Sequence, residues 1–366
     1  MKIALISFEM PWSFVGGVET HTFELAKSYS RKGHEVHIFT RWYEGIDKEK
    51  EIKEGVTVHY VPIPKRFQKL KEEDYIHFKR FTRFVFKRYL MKMVEDFDLI
   101  HSQNYDGSSL ANKDAVKIAT VHTSIPQEYM EGKLPLPRRL PQRILISADY
   151  LSSLYFHSKL DETIVVSDKV AKDLERWYGV SPEIIPNGAP KVEKVGKTKA
   201  KDYLEIDFKK TVLYFGRMAR VKRPDRLLAI LKDPELSDVG ILYGGKGPYL
   251  KDLKKKVIEM DVEDRVKFLG FVHEEDKRYC FSAADCFALP SKAEGQPITL
   301  LEAMRYGLPC YVTDIRWVPE YLRGFAVDGE VVSGIKQALE MKVNNEKVMT
   351  WDDVADRTLE VYKKFL

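Results

Sequence analysis

Short apolar runs alternate with amphipathic segments along most of the chain. IALISF, EVHIFT and KIATVHT are typical of buried strands, and VETHTFELAKSYSRKG places apolar residues at helical spacing. Strands that follow one another with a helix between each pair predict parallel sheets with crossover helices. The pattern therefore predicts an α/β fold.

The predicted strands form two series. The first series continues through DLIHSQ and ETIVVSD, and the second comprises TVLYFGR, VGILYGG, RVKFLGFV, CFALPS and PCYVTD. The stretch between them, IIPNGAPKVEKVGKTKAKDY, is rich in Pro, Gly and Lys, so we place a hinge near residues 183–192. A chain of 366 residues suits two domains. Two doubly wound domains would bind ligands at the carboxyl ends of their strands. The closing segment, WDDVADRTLEVYKKFL, predicts a helix whose apolar stripe needs a partner.

Composition changes this picture little. Hydrophobic residues make up 44% and charged residues 31% of the chain, as in ordinary globular proteins. No apolar run approaches the roughly 20 residues of a membrane span, and a strand begins directly after Met1, so we expect a cytoplasmic protein. Cys280, Cys286 and Cys310 lack metal-ligand spacing, and we expect reduced core residues and no metal site.

The segment SKAEGQPITLLEAMRYGLP, residues 291–309, carries two carboxylates, Glu294 and Glu302. Pro297 suits a first helical turn, and apolar residues after it give that helix a buried face. Eight helical residues would separate the acids by about 12 Å, which exceeds the roughly 5 to 9.5 Å of a hydrolytic carboxylate pair. We therefore interpret the acids as contacts to opposite ends of one extended ligand. Glutamates eight apart on a solvated helix are the ordinary alternative.

Backbone amides between the two acids indicate what that ligand contains. Gly295, Gln296 and the first helical turn present N–H groups at a helix start, which favours a pyrophosphate. Two carboxylates at opposite ends of a ligand, with a pyrophosphate between them, describe a nucleotide sugar.

A second motif, GRMARVKRPDRLL, is rich in basic residues and begins at Gly216 after a predicted strand. It places Arg217 and Lys222 five residues apart before a helix, and two fixed cations can stabilise negative charge on a ligand without a metal ion. The alternative is a solvated basic loop, and we assign that role to the other cations of the motif, Arg220, Arg223 and Arg226.

Two motifs of the first half follow strands. Gly16 and Gly17 allow close backbone approach to a phosphate at a helix start, although a glycine pair is often only a turn and the dinucleotide fingerprint is incomplete. His122, in VHTS, ends a strand, where it is either a structural residue or a ligand contact. His21 stays unassigned.

These segments, in this order over most of the chain, resemble the retaining enzymes of glycosyltransferase family 4, which have the GT-B fold. EGQPITLLEA and the Gly-Arg-x4-Lys segment at Gly216 carry the resemblance. It implies two Rossmann-like domains facing a central cleft, with residues 1–186 on the acceptor side and 187–346 binding the nucleotide sugar. Residues 347–366 would form a helix that crosses back to the N-terminal domain.

The resemblance also implies residue roles. Glu294 would hold donor-sugar hydroxyls, Glu302 the ribose, and His122 the sugar near the reacting centre. Arg217 and Lys222 would hold the phosphates of the donor and stabilise the departing diphosphate. The glycine-rich turn GGKGP at Gly244 would lie beside the donor, and backbone at Phe271 and Val272 would contact the nucleobase. The implied catalytic residues are Arg217, Lys222, Glu294 and His122. The implied donor-binding residues are Gly16, Gly17, Gly244, Phe271, Val272, Gly295, Gln296, Pro297 and Glu302.

The implied reaction moves a hexosyl unit from a UDP-, GDP- or ADP-linked sugar to an acceptor hydroxyl, with an alpha linkage and no essential metal or cofactor. The chain departs from the family at DIRWVPEYL, where Arg316 and Trp317 replace small residues. This departure leaves the identity of the transferred sugar undetermined. A nucleotide-sugar epimerase of the same fold and a non-catalytic nucleotide-sugar-binding protein are the alternatives. We see no pyridoxal phosphate lysine motif for a phosphorylase.

Residues 65–92 concentrate positive charge, with ten Lys or Arg against three acids, interleaved with Phe and Tyr. Such a segment either lies on an anionic membrane surface or packs Phe78, Phe81, Phe84 and Val85 on the sheet with its cations solvated. No nucleic-acid motif accompanies it. The acceptor would be a sugar, a glycan or a lipid-linked molecule, and PLPRRLPQR, from Pro135, would be an acceptor-side loop.

Overall fold

The protein is described by a computed structural model that covers residues 1–12, 16–43, 45–64, 84–123, 150–343 and 348–366. Most of the basic segment 65–92 and all of PLPRRLPQR lie outside these residues. The chain divides into two compact units, residues 1–188 with 351–366, and residues 189–350. No helix in the described part is long and apolar enough to cross a membrane.

An eight-stranded sheet forms the centre of the first unit, in the order β3-β4-β2-β1-β5-β6-β7-β8. Every neighbouring pair is parallel except β3 and β4. The strands are β1 (Lys2–Ile6), β2 (Glu35–Arg41), β3 (Lys50–Lys53), β4 (Val56–Val61), β5 (Leu99–Gln103), β6 (Val116–Val121), β7 (Glu162–Val165) and β8 (Glu183–Ile184). The sequence did not predict β3, β4 or β8. The charged KEIK reads as a loop, and two residues are too few to show a pattern.

Amphipathic helices cover this sheet. They are α1 (Gly17–Arg31), α2 over residues 84–90, α3 over residues 150–157 and α4 (Asp168–Tyr178). The ends of α4 follow from its sequence: the Ser167 side chain accepts a hydrogen bond from the amide of Val170, and Gly179 takes the left-handed conformation at φ +66°.

The second unit contains a six-stranded, wholly parallel sheet in the order β11-β10-β9-β12-β13-β14. Its strands are β9 (Lys210–Phe215), β10 (Val239–Gly244), β11 (Val266–Gly270), β12 (Cys286–Leu289), β13 (Cys310–Val312) and β14 (Ala326–Val327). Its helices are α5 (Lys197–Leu204), α6 (Leu250–Glu259), α7 (Lys277–Ala283), α8 (Ile298–Arg305) and α9 (Val331–Glu340). The predicted doubly wound α/β architecture is confirmed, because chain order reverses direction at β9 as it does at β1.

The last helix, α10 (Trp351–Lys363), belongs to the first unit and packs on α1. The Tyr362 hydroxyl lies 2.9 Å from the Tyr29 hydroxyl of α1 and 2.5 Å from Nδ1 of His101 on β5. The predicted partner of its apolar stripe is therefore the N-terminal unit.

Candidate functional site

Glu294 lies in the loop between β12 and α8, and the residue is only 7% exposed. Lys222 Nζ donates to both carboxylate oxygens, at 2.6 and 2.7 Å, and Ser291 Oγ donates to Oε1 at 2.7 Å. Such hydrogen bonds offset the cost of burying a carboxylate. The structure thus brings two of the predicted catalytic residues, from positions 72 apart, into direct contact.

Backbone hydrogen bonding positions Lys222 against this loop. Lys222 ends a 3-10 turn, Arg220–Lys222, and the amide of Lys292 donates to the carbonyl of Val221 at 2.8 Å. Beyond the turn, residues 224–232 form a 3-10 helix. A backbone hydrogen bond therefore joins the segment that follows β9 to the loop that follows β12.

The start of α8 differs from the prediction. Pro297 occupies the cap position at φ −75° and ψ 123°, and the helix begins at Ile298. Residues 294–297, including Gly295 and Gln296, are not helical, so the assumed eight-residue helical path between the two acids is wrong. Proline can take the cap position because its restricted φ also suits extended backbone.

Glu302 lies inside α8 and is 5% exposed. Lys277, the first residue of α7, donates to Glu302 Oε1 at 3.0 Å and lies 2.8 Å from Glu274. Burial disfavours its charge, but Glu302 and Glu274 outweigh burial and hold the pKa of Lys277 above its usual value. Sequence reasoning missed Lys277, because nothing local distinguishes it from the surface lysines around it.

The glycine-rich turn after β10 packs against the strand end that carries Arg217. Gly245 has φ +126°, and a Cβ there would lie 2.0 Å from the carbonyl oxygen of Gly216. The amide of Gly216 donates to the carbonyl of Gly244 at 3.0 Å, and Tyr214 donates to the carbonyl of Arg217 at 2.9 Å. Gly244 and Arg217 are thus brought together by backbone approach that only glycine permits at position 245. The Arg217 side chain is exposed.

Phe271 and Val272 follow β11. Phe271 is 51% exposed, with Lys246 Nζ 5.6 Å from its ring centroid, and Val272 packs partly buried against the core. Of the two bulky residues in DIRWVPEYL, Trp317 is fully buried in the core of the unit, whereas Arg316 is exposed and bonds to Asp314. The bulk of Trp317 therefore fills the core.

His122 in the first unit belongs to a buried histidine cluster. Its Nε2 lies 2.9 Å from Gln103 Oε1, and its ring packs edge-on against His21 at 4.8 Å. Burial, with a smaller contribution from His21 and His101, holds the pKa of His122 well below its usual value. A neutral imidazole can exchange hydrogen bonds but supplies no positive charge.

His21 and His101 complete that cluster, and the sequence assigned neither. His21 Nδ1 lies 2.8 Å from Asn187 Oδ1, and His101 Nε2 lies 2.8 Å from Thr120 Oγ1. The only available signal was the position of each histidine in an apolar segment.

Gly16 and Gly17 stand at the start of α1. Gly16 is extended at φ −154° and accepts at its carbonyl from the amide of Thr20, while Gly17 is the first helical residue. Residues 13–15 of this loop lie outside the described residues. The phosphate role of the pair stays a prediction.

Family descriptions match nearly the whole chain. "Glycosyltransferase Family 4" matches residues 15–191, and "Glycosyl transferases group 1" matches residues 197–346. The chain belongs to glycosyltransferase family 4. This family 4 glycosyltransferase is a retaining enzyme with the GT-B fold, and it uses a nucleotide sugar as donor.

Two relatives show how widely the similarity extends. An uncharacterized glycosyltransferase of Methanocaldococcus jannaschii is 25% identical over 99% of this chain and 98% of the relative. The alpha-monoglucosyldiacylglycerol synthase of Streptococcus pneumoniae is 26% identical over 81% of this chain and 67% of the relative.

Solved structures agree in fold. Sucrose-phosphate synthase from Thermosynechococcus elongatus superposes with a TM-score of 0.79 at 19% identity, covering 99% of this chain and 98% of that one. HepE of Anabaena, in complex with UDP and glucose, superposes with a TM-score of 0.74 at 16% identity and full coverage of both chains. At these identities the comparison supports the GT-B fold of the family 4 enzyme.

Proposed function

We propose that this family 4 glycosyltransferase moves a hexosyl unit from a nucleoside diphosphate sugar to an acceptor hydroxyl and forms an alpha linkage. The observation that carries the proposal is the contact of Lys222 with the buried Glu294 carboxylate, which lies in the same loops as Arg217 at the carboxyl ends of β9 and β12. A cation and a carboxylate in contact suit a ligand whose phosphate and sugar hydroxyls are neighbours.

In the proposed reaction the bond between the anomeric carbon and the diphosphate oxygen breaks, and its electron pair leaves with the phosphate. Arg217 and Lys222 stabilise that charge. The acceptor oxygen bonds to the same face of the sugar, and its proton passes to the departing phosphate oxygen. Ser291 and Lys222 orient Glu294 toward the sugar hydroxyls. His122, neutral, contacts the sugar as a hydrogen-bonding group.

The rest of the donor would bind along α8 and the neighbouring turns. Glu302, held by Lys277, binds the ribose, and backbone at Phe271 and Val272 contacts the nucleobase. Gly16, Gly17, Gly244, Gly295, Gln296 and Pro297 supply backbone close to the diphosphate.

We further propose a lipid-linked or glycan acceptor and attachment to an anionic membrane surface. The name of the streptococcal relative, a monoglucosyldiacylglycerol synthase, supports a lipid. On α2 and just after it, Phe84 is 65% and Met91 50% exposed, beside Arg88 and Lys92. Phe86 and Leu90 pack in the core and Val85 packs against it, so the packing alternative is confirmed for Val85 and wrong for Phe84. Phe78 and Phe81 lie outside the described residues.

Calorimetry with UDP-, GDP- and ADP-sugars, followed by assay of slow donor hydrolysis, tests the donor and the chemistry together. We expect one selective binder, and UDP-glucose is the first candidate because HepE is seen with UDP and glucose. Arg217→Ala or Lys222→Ala should lower turnover by roughly two orders of magnitude or more, as loss of a transition-state contact does. Lys251→Ala, at an exposed lysine of α6, is the control.

Other outcomes point to the alternatives. Conversion of the donor into its epimer without acceptor would identify an epimerase. Selective binding with neither hydrolysis nor transfer would identify a non-catalytic binding protein. Near-normal turnover of Arg217→Ala would refute its role.

Sedimentation with phosphatidylglycerol vesicles tests the proposed attachment to an anionic membrane surface. Binding should weaken as salt rises, and Phe84→Ser should weaken it further, whereas Ile52→Ser, at an exposed residue of β3, should not. Absence of binding at low salt would overturn this part.

A further inference from the structure

A basic cavity lies in the second unit, between the 3-10 segments that follow β9 and the start of α6. Its volume is about 480 Å³, and it is lined by Arg220, Arg223, Asp225, Arg226, Tyr249 and Lys256. Four of these residues are cations and one is an acid. None of the residues assigned to the donor lines it, so the cavity is distinct from the Lys222–Glu294 pair on the same turn.

The acid within the cavity, Asp225, is paired with a lysine of the same cavity. Lys256 Nζ donates to Asp225 Oδ2 at 2.5 Å and to the Tyr249 hydroxyl at 2.8 Å. Tyr249 is 7% exposed, and Arg220 lies over its ring at 5.3 Å. The lysine, the tyrosine and the guanidinium therefore form one ordered wall that keeps a positive charge.

Nearby acids compensate the positive charge of the arginines only in part. Arg220 pairs with Asp252 at 3.0 Å and Arg226 approaches Glu330 at 4.0 Å, but both acids are more than half exposed, and such surface pairs are weak. Arg223 has no carboxylate within ion-pair distance among the described residues. The positive potential of the cavity is thus uncompensated at Arg223.

The backbone of Arg223 is strained. Its φ is +48° and its ψ +45°, and it directly precedes Pro224, a combination that disfavours a residue with a side chain. A guanidinium is therefore held in the cavity wall by a conformation that glycine would adopt without strain.

We propose that this cavity is a second anion site, separate from the donor site, for a ligand that carries clustered phosphate groups. Guanidinium groups bind phosphate oxygens through paired, charge-assisted hydrogen bonds, and three arginines around one cavity suit more than one phosphate. Such phosphates belong either to a soluble polyphosphorylated molecule or to lipid headgroups. The ligand would touch the turn that carries Lys222.

Tripolyphosphate is the probe, and the parent protein for the test is Arg217→Ala/Lys222→Ala/Glu294→Gln, in which the proposed donor-phosphate cations are gone and no buried carboxylate is left unpaired. We expect calorimetry to show binding of one equivalent in this parent. Adding Arg223→Gly should weaken that binding by about tenfold or more, the effect of one lost charge-assisted contact. Arg226→Gln should also weaken it, and Lys251→Ala, at a cation of α6 outside the cavity, should not.

Stability separates this effect from misfolding. Because Arg223→Gly relieves a left-handed residue, its thermal midpoint should equal or exceed that of the parent. Absence of binding in the parent, an unchanged affinity of Arg223→Gly, or equal weakening by Lys251→Ala would overturn the proposal.

The source of the phosphate is tested with vesicles of phosphatidylcholine and phosphatidic acid. If Arg223→Gly lowers vesicle sedimentation together with tripolyphosphate binding, the site takes lipid headgroups. If only tripolyphosphate binding falls, the site takes a soluble ligand. A failed donor screen would leave this test intact, since the parent lacks the donor cations.

Discussion

At the scale of single residues, two buried carboxylates are each held by one distant lysine. Glu294 contacts Lys222, and Glu302 contacts Lys277. A buried pair adds little net stability, but removing one partner leaves a charge in a poorly solvated place, which costs several kcal/mol. Each lysine therefore fixes the direction of a carboxylate that is a proposed donor contact.

The Lys277–Glu302 contact can be tested apart from catalysis. Lys277→Met should lower the affinity for the nucleoside diphosphate by about tenfold, because Glu302 loses the group that orients it, and should lower the melting temperature. Calorimetry and thermal unfolding measure the two effects. The double variant Lys277→Met/Glu302→Gln should regain stability without regaining affinity.

Lys267→Met is the matched control, since Lys267 pairs with the largely exposed Glu205 at 3.4 Å. Unchanged nucleotide affinity of Lys277→Met would show that Glu302 is not a ribose contact or does not depend on Lys277.

The histidine cluster gives the first unit a defined pH dependence. Burial lowers the pKa of His21 to about 4 and that of His101 to about 3, from a usual value of 6.5. The unfolded chain therefore takes up protons first as pH falls below 6.5, and folding loses stability from there down toward pH 4. At about 1.4 kcal/mol for each pKa unit, these shifts correspond to a full loss on the order of 3 to 5 kcal/mol for each histidine.

Urea unfolding of the first unit, followed from about pH 7.5 to pH 5, measures the part of this loss that develops above pH 5. His101→Gln should flatten the dependence, while at the higher pH, where the imidazoles are neutral in both states, it should change stability only through its lost contacts. Constant stability across the range would contradict the neutral state of the cluster.

At the scale of elements, the ends of β9, β10 and β11 act as one backbone framework. Besides the contact of Gly216 with Gly244, the amide of Gly245 donates to the carbonyl of Gly270 at 2.7 Å, and the amide of Met218 to the carbonyl of Lys246 at 2.9 Å. The loop that carries Arg217 is thus fixed by hydrogen bonds between neighbouring strand ends.

Gly245→Ala tests this framework. Its new Cβ meets backbone, which cannot move aside cheaply, and its φ is unfavourable for alanine, so we expect a loss of roughly 2 to 4 kcal/mol in the free energy of unfolding. Donor hydrolysis should fall with it, as Arg217 shifts. Gly324→Ala, where a Cβ meets nothing within 4 Å and φ is not positive, should be nearly neutral. Equal effects of the two variants in chemical unfolding would refute the argument.

At the scale of the whole molecule, the chain leaves the first unit, forms the second, and returns to the first with α10. That return buries Trp351, Val354 and Leu359 and places the Tyr362 hydroxyl between Tyr29 and His101. The first unit therefore depends on residues from both ends of the sequence.

Deleting residues 351–366 should destabilise the first unit and spare the second. Hydrogen exchange should show β1, β5 and α1 losing protection, with β9 and β10 unchanged. Tyr362→Phe is the finer variant, with an expected cost of about 1 to 3 kcal/mol from the unsatisfied His101 and Tyr29 groups. If hydrogen exchange rises equally in both units, α10 does not stabilise the first unit specifically.

The sequence by itself determined the architecture. Runs such as KIALI and TVLYF alternate with amphipathic helices, and this period reflects which side of each element is buried. Motifs that depend on one turn, such as Gly16 and Gly17 at a helix start or Glu294 before α8, were also visible. Short edge strands such as KEIK were not, because charged residues on a sheet edge look like a loop.

Only the tertiary structure decided the partners. Lys222 meets Glu294, Lys277 meets Glu302, His21 meets His122, and Arg223 joins Lys256 around one cavity, although no spacing in the sequence links these pairs. The alternation of apolar and polar residues along one helix or strand reflects which of its faces is buried, and this alternation can be read directly from the sequence. Contacts between distant loops depend on which strand ends the sheet order places together, and that order arises only when the whole unit packs.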